Sequence, residues 1–477
     1  MNNQTKRSSF TGKLGFILAA AGSAVGLGNL WRFPYLAAKY GGGIFLLVYL
    51  ILAVTFGFAL MTAEIAIGRK TGLSAIGAFE KLSKKFKWVG YVAALVPALI
   101  LPYYSVIGGW VTKYLAVFAT GQGASAADGE GVFFLSFIGM KAEPIVWFLI
   151  FIGITALIVL FGVEKGIEKV SKVMMPILAV LAVGIAIYSC ICSPNNIEGL
   201  KYYLVPDFSK FSLSTVLAAM GQLFYSMSLA MGIMITYGSY MKKDVSIESS
   251  VGHIEIFDTG IAFIAGLMIL PAVGAAGAES AGPGLMFISL PNVFNEMGVA
   301  GNIVGTVFFL LVLFAALTSS ISLMETVVSI ICDKFKIGRK LSCLCVLLFS
   351  AVLGLITCFG YSLWPNYHPF GNPNNNVLDL FDILTNNFIM PVVALLTCIV
   401  VGFIIKPKAI EEEVEVNNGQ FKRKTLFRVV IKYVAPVCLV LILITSVLNA
   451  FQTPIREFLT SNFGQATSDS IMRLFVY

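Results

Sequence analysis

Charge is scarce in this chain: Asp, Glu, Lys and Arg make up 12% of its 477 residues, where soluble domains carry roughly a quarter. With 58% hydrophobic residues and a mean hydropathy of +0.87, that deficit excludes a soluble fold. Histidine is nearly absent, with only His253 and His368, so a histidine-built metal or catalytic centre lacks its ligands. The eight cysteines fall in no metal-ligand spacing; Cys190/Cys192 and Cys343/Cys345 sit in or beside apolar runs and read as small hydrophobes. No GxxxxGK[ST] phosphate loop occurs, so ATP need not be invoked, and no nucleophile with a base suggests an enzyme. The net charge of +8 comes from short clusters between apolar runs. A nucleic-acid partner would instead call for a basic stripe interleaved with aromatics.

What is present is a series of apolar runs, each near the roughly 20 residues needed to cross the hydrocarbon. They fall at 13–37, 43–68, 89–119, 144–162, 170–192, 214–239, 251–275, 299–331, 341–360, 378–405 and 428–450. These predict an all-α polytopic membrane protein with eleven transmembrane helices. Lys6 and Arg7 before AAAGSA imitate a signal peptide, but the run continues through GLGNLWRFPY into a second span.

With the N-terminus in the cytoplasm, one set of loops collects Arg69, Lys70, Lys81 to Lys87, Lys165 to Lys172, Lys242, Lys243, Lys334 to Lys340 and Lys406 to Lys432, while 361–382 holds no Lys or Arg. The positive-inside rule therefore predicts a cell-membrane protein with a cytoplasmic N-terminus and, from the odd span number, an extracellular tail at 451–477. The charged stretch EEEVEVNNGQFKRK at 411–424 reads as a solvated linker.

Two spans carry small residues where a continuous helix would not want them: GSAVGLGN at 22–29 and SMSLAMG at 226–232. Close packing is one reading, since Gly, Ala and Ser let helices approach. Placement favours another. The runs lie in spans one and six, the first members of two five-helix halves, and five helices per half make the second half start on the opposite side of the membrane. This 5+5 inverted repeat divides the chain into a tail (1–12), repeat one (13–192), an outer loop (193–213), repeat two (214–405), a cytoplasmic linker (406–427), an eleventh helix (428–450) and the tail. Interrupted spans at matching positions point to a midplane binding site, where freed N–H groups face an anion and freed carbonyls a cation.

The strings LGFILAAAGSAVGLGNLWRFPY (14–35), GQLFYSMSLAMG (221–232) and LTSSIS (317–322) resemble helices one, six and eight of the neurotransmitter:sodium symporters, and the resemblance runs over about residues 7 to 450. It implies a leucine-transporter-like fold with helices one and six broken, and sodium-coupled import of an amino acid by alternating access. It also implies two sodium sites. The first takes Ala24, Asn29, Ser226 and Asp258 together with the substrate carboxylate, and the second Gly22, Val25, Ala315, Thr318 and Ser319. Neutral oxygens from unwound backbone suit a hard cation, although hydroxyls in a helix also back-bond to their own turn.

By the same resemblance the substrate site comprises Ser23, Ala24, Gly26, Leu27, Gly28, Ile100, Tyr104, Ile107, Tyr225, Ser226, Ser228, Met231, Ser319 and Leu323. Gly26 stands where monoamine carriers place an aspartate, which implies a zwitterion that brings its own carboxylate. Met231 replaces a phenylalanine and, as a pliant thioether, points toward bulky aliphatic or aromatic side chains. Arg32 with Asp382 corresponds to an outer ionic gate, Arg7 with Asp333 to an inner latch, and Glu64 to a support for unwound helix six. Asp258 replaces an asparagine of chloride-dependent relatives, and Ala262 a serine one turn on, so chloride independence is expected. Gly166 and Pro176 match a Gly-x9-Pro spacing that in relatives accompanies unwinding of helix five; an ordinary proline kink fits equally. A carrier of another small solute (amine, betaine or taurine), a channel or a non-transporting sensor remain alternatives. The exact substrate, sodium number, proton coupling and oligomeric state stay open.

Overall fold

The computed structural model describes residues 9–193, 196–278, 283–372, 375–451, 455–456, 460–462 and 465. Most of these are helical, with no β-strand among them. Among the described residues nine helices are long and apolar enough to cross a membrane: α3 (Gly43–Thr71), α5 (Lys84–Ala119), α6 (Glu143–Leu160), α7 (Val163–Cys192), α10 (Ile247–Gly274), α11 (Ala300–Phe335), α12 (Arg339–Ser362), α13 (Val377–Ile404) and α15 (Lys424–Ala450). A tenth crossing passes the same test as a pair, α1 (Lys13–Ala24) and α2 (Gly28–Lys39), bent by 53° at the gap. The sixth expected span forms two shorter helices, α8 (Leu213–Ser226) and α9 (Ile233–Ser239). A short helix, α4 (Ala75–Leu82), lies between α3 and α5.

Burial sorts these helices. Of the 18-residue apolar window of α11, 78% is buried, against 33% for α6 and for α7, so α11 is a central post and α6 and α7 keep most of their surface for lipid. The first broken helix occupies the middle: α1 packs on α7, α10 and α11, and Phe16, Ala20, Ala21 and Val25 are fully buried. Its small residues permit that closeness. A Cβ on Gly22 would lie 3.2 Å from both Met175 Sδ and Thr318 Cβ.

The 411–424 stretch is solvated only in part: Glu412, Glu415, Asn417, Gln420 and Lys422 are exposed, but its beginning packs against the bundle. Pro407–Val414 forms a helix, α14, with Glu411, Glu413 and Val414 at most 5% exposed. Glu413 accepts Arg69 Nε at 2.8 Å and Lys243 Nζ at 2.6 Å, Lys70 Nζ donates to the Ala409 carbonyl, and Arg428 pairs with Glu411. Arg428 thereby holds the Glu411 carboxyl below the usual carboxylate range. Arg423 lies 3.4 Å over the Phe58 ring and reaches Glu255. Charges far apart in sequence neutralise one another here, which allows the segment to leave water.

At the same end the N-terminal strand is pinned. Phe10 is buried edge-on against Phe16 and Tyr237, and Thr11 N donates to Glu168 Oε2 at 2.8 Å. Gly166 sits in a π-helical turn, Val163–Glu168, where a Cβ would come within 2.1 Å of the Ile158 carbonyl; Pro176 lies inside the continuous helix Lys169–Cys192. Arg7, and most of the expected tail at 451–477, lie outside the described residues.

Candidate substrate and ion site

The two breaks face each other. At the first, Val25 leaves helical geometry with ψ of 99°. Across from it, Ser228 and Ala230 take positive φ, 52° and 60°, a left-handed backbone that costs side-chain-bearing residues of order 1 kcal/mol or more. The local bonds show what holds that strain. Glu64 Oε1 accepts the Ala230 N–H at 2.7 Å, where the resemblance places a support. Ser228 Oγ donates to the Ser23 carbonyl at 2.9 Å, tying one break to the other.

Between the breaks lies a cavity of about 340 Å³. Its wall combines peptide and hydroxyl groups, from Ser23, Ala24, Gly26, Leu27, Gly28, Asn29, Tyr104, Tyr225, Ser228 and Ser319, with the apolar side chains of Ile100, Met231, Ile233 and Leu323. Among the described residues no charged side chain lines it. Of the fourteen substrate residues implied by the resemblance, the fold brings all but Ile107 and Ser226 to the wall. Ile107 is buried on α5, and Ser226 turns into a neighbouring cluster. Asn29 and Ile233 are wall residues that the expected substrate set omits. Glycines are required at two points: a Cβ at 26 would sit 2.6 Å from Ser319 Oγ, and one at 28 would sit 2.3 Å from the Tyr225 ring. The Leu27 N–H donates to Tyr104 Oη at 3.3 Å, so an N–H and a hydroxyl converge at the cavity wall.

Two polar clusters flank this cavity. In one, the buried Asp258 carboxylate accepts Asn29 Nδ2 and Ser226 Oγ, each at 2.7 Å, on Oδ1. Tyr49 Oη donates to Oδ2 at 3.1 Å. Tyr49 escapes sequence reasoning because it is one hydroxyl in the apolar run GIFLLVYLIL. In the second cluster Ser319 Oγ donates across to the broken helix, 3.1 Å from the Ser23 carbonyl and 3.4 to 3.5 Å from those of Val25 and Gly22. Thr318 behaves differently: its hydroxyl back-bonds to the Phe314 and Ala315 carbonyls of its own turn.

The two residues of the expected outer gate lie near one another without direct contact. No ion pair joins Arg32 to Asp382 among the described residues; the guanidinium lies 5.4 Å over the Tyr225 ring, while Asp382 accepts Tyr103 Oη and Asn386 Nδ2. Stacking on an aromatic lets a half-buried guanidinium keep company without the desolvation of a salt bridge. At the other end Asp333 Oδ2 accepts the N–H and hydroxyl of Ser74.

The comparisons with known proteins agree on what this architecture is. A family model described as the sodium:neurotransmitter symporter family matches residues 7–124 and 135–473. A sodium-dependent transporter of Bacillus subtilis is 34% identical, over 92% of this chain and 98% of its own. One from Methanocaldococcus jannaschii is 31% identical, over 96% and 92%. Among solved structures, MhsT in complex with L-phenylalanine matches at a TM-score of 0.84 and 36% identity, covering 92% of this chain and all of that one. The chain belongs to the sodium:neurotransmitter symporter family, which comprises membrane transporters rather than enzymes.

Proposed function

We propose that the chain imports a zwitterionic L-amino acid with a bulky aliphatic or aromatic side chain, driven by two sodium ions and without need of chloride. The supporting observation is the cavity between the breaks, whose wall combines peptide and hydroxyl groups with hydrocarbon and, among the described residues, carries no charged side chain. A ligand there must be neutral overall, because an unpaired buried charge is costly. In this reading its carboxylate meets the N–H of Leu27, Tyr104 Oη and the first sodium, and its ammonium meets carbonyls around Ser23 and Ala24. Met231, Ile233, Ile100 and Leu323 take the side chain. The complex of MhsT with L-phenylalanine supports the aromatic end of this range.

The first sodium is assigned to Ala24, Asn29, Ser226 and Asp258, the second to Gly22, Val25, Ala315, Thr318 and Ser319. Asp258 underlies the chloride assignment: three donors already converge on its carboxylate, which provides a fixed negative charge beside the first ion. In the same reading eleven spans form a 5+5 inverted repeat, with the N-terminus and the basic loops in the cytoplasm. Two ions crossing 100 mV down a tenfold gradient supply about 7 kcal/mol, enough for about a 10⁵-fold amino-acid gradient in the ideal limit.

The test is uptake of labelled L-amino acids into proteoliposomes under an inward sodium gradient, with potassium in place of sodium, and gluconate in place of chloride, as controls. Sodium-dependent accumulation that survives chloride removal and is competed by L-phenylalanine or L-leucine is the expected result. Accumulation of an amine, betaine or taurine, blocked by no amino acid, would overturn the substrate assignment. Binding without accumulation under any gradient would overturn transport.

A further inference from the structure

The basic end of the bundle holds a second, larger cavity, separate from the one between the breaks. Two lysine-rich segments far apart in sequence, 81–87 and 334–336, meet there: Lys334 Nζ lies 3.6 Å from Glu80 and 5.3 Å from the centre of the Tyr91 ring. Between α4 and the end of α11 an open cavity of about 830 Å³ is apolar where Leu73, Ile76 and Ile330 line it, and cationic where Lys81, Lys334 and Lys336 do. Its two acids are engaged, Asp333 by Ser74 and Glu80 by Lys334. Lys84, Lys85, Lys87 and Lys336 are exposed and form no ion pair among the described residues. Alongside, Trp88, Tyr91 and Phe335 expose 46%, 45% and 68% of their surface, as aromatics do at the headgroup level of a membrane.

We propose that this cavity binds the headgroup of an anionic phospholipid, with its phosphate against Lys334 and Lys336 and its acyl chains leaving past Trp88 and Phe335. Loop lysines as such follow from membrane orientation, but that rule gives no reason for two distant segments to close on one cavity with an apolar floor. A soluble anion would need only the lysines. The hydrocarbon floor and the exposed aromatics beside it fit an amphiphile, and basic clusters directly beside membrane helices draw anionic headgroups.

Native mass spectrometry of the full chain, titrated with phosphatidylglycerol or phosphatidylcholine, tests this. We compare the natural chain with a variant carrying Lys84→Gln, Lys85→Gln, Lys334→Gln and Lys336→Gln. The control removes the same charge elsewhere on the basic end, with Lys165→Gln, Lys169→Gln, Lys406→Gln and Lys408→Gln. The expected result is one phosphatidylglycerol retained by the natural chain and the control, weakened at least tenfold in the first variant and restored when the same four positions are Arg. Equal weakening in the control would mean diffuse attraction and overturn the site, as would equal retention of phosphatidylcholine. Displacement of the lipid by millimolar inorganic phosphate would assign the lysines to a soluble anion instead. A melting curve of the first variant that matches the natural chain shows that lost binding is not lost folding.

Discussion

The two polar clusters beside the broken first helix are built from opposite materials. The one at Asp258 is organised around a buried carboxylate with three side-chain donors, while the one at Ser319 is gathered around a hydroxyl and the carbonyls that α1 releases where it ends. A carboxylate in a low-dielectric interior is expensive unless compensated. Peptide carbonyls carry no such penalty, but they are available only where a helix is interrupted. The first cluster therefore depends on one side chain, and the second on a backbone shape that many side chains maintain together.

Removing the carboxylate gives the sharpest contrast. Asp258→Asn leaves Ser226 and Tyr49 with a neutral partner and deletes the fixed charge. Each charge-assisted bond is worth about 1.5–3 kcal/mol, so sodium-driven uptake in chloride-free medium is expected to fall by about 100-fold or more, read as initial rates in proteoliposomes. Partial recovery when chloride is restored would tie the loss to charge. Rates within twofold of the natural chain would show that the carboxylate is dispensable and that the contrast between the clusters is wrong.

Gly26 tests the surface that the clusters share. In Gly26→Ala the new methyl lies 2.6 Å from Ser319 Oγ, inside any normal contact, and 3.2 Å from Tyr104 Oη, a tight one, so the second cluster must shift and the Tyr104 hydroxyl must give slightly. Overpacking of this kind costs about 1–3 kcal/mol. About tenfold weaker amino-acid binding is expected, measured by equilibrium dialysis at saturating sodium. Unchanged binding would mean that the wall yields at no cost and that glycine is there for the backbone alone.

Much of this site was legible from residues. GSAVGLGN and SMSLAMG marked both breaks because glycine and serine are poor choices inside an apolar helix unless backbone must be freed or approached. Glu64 and Asp258 were reached through the resemblance, and carboxylates inside apolar spans are rare enough to agree with it. Other features carried no such signal. Tyr49 is an apolar ring to any pattern and a donor only once folding turns its hydroxyl toward Asp258. The buried face of α14 was read as solvated because composition counts charges without pairing them, and the pairs that neutralise it, Arg69 with Glu413 and Arg428 with Glu411, join different elements. Arg32 and Asp382 have the right types for a gate, yet each makes its bonds with a nearer neighbour. Residue type names a possible partner; only packing decides which is reached.

The smallest expected effects come from adjacent hydroxyls on α11, and they ask how far the second cluster is already assembled. Ser319 spends its hydrogen on the broken helix, so Ser319→Ala removes a bond between two elements and leaves buried carbonyls with one donor fewer. At about 1 kcal/mol for a neutral bond, the sodium concentration for half-maximal uptake should rise about fivefold. Thr318 spends its hydrogen within its own turn, a bond that does not join helices, so Thr318→Ala should move the same quantity by no more than about twofold, while Thr318→Ser should leave it unchanged. The order of the two alanine effects is what matters. If Thr318→Ala proves the larger, its hydroxyl must leave the turn and present a lone pair to the ion, and the second cluster is then assembled by sodium itself. If Ser319→Ala is larger, the carbonyls are already gathered around the Ser319 hydroxyl before any ion arrives, and the cluster built from neutral backbone is the more preorganised of the two.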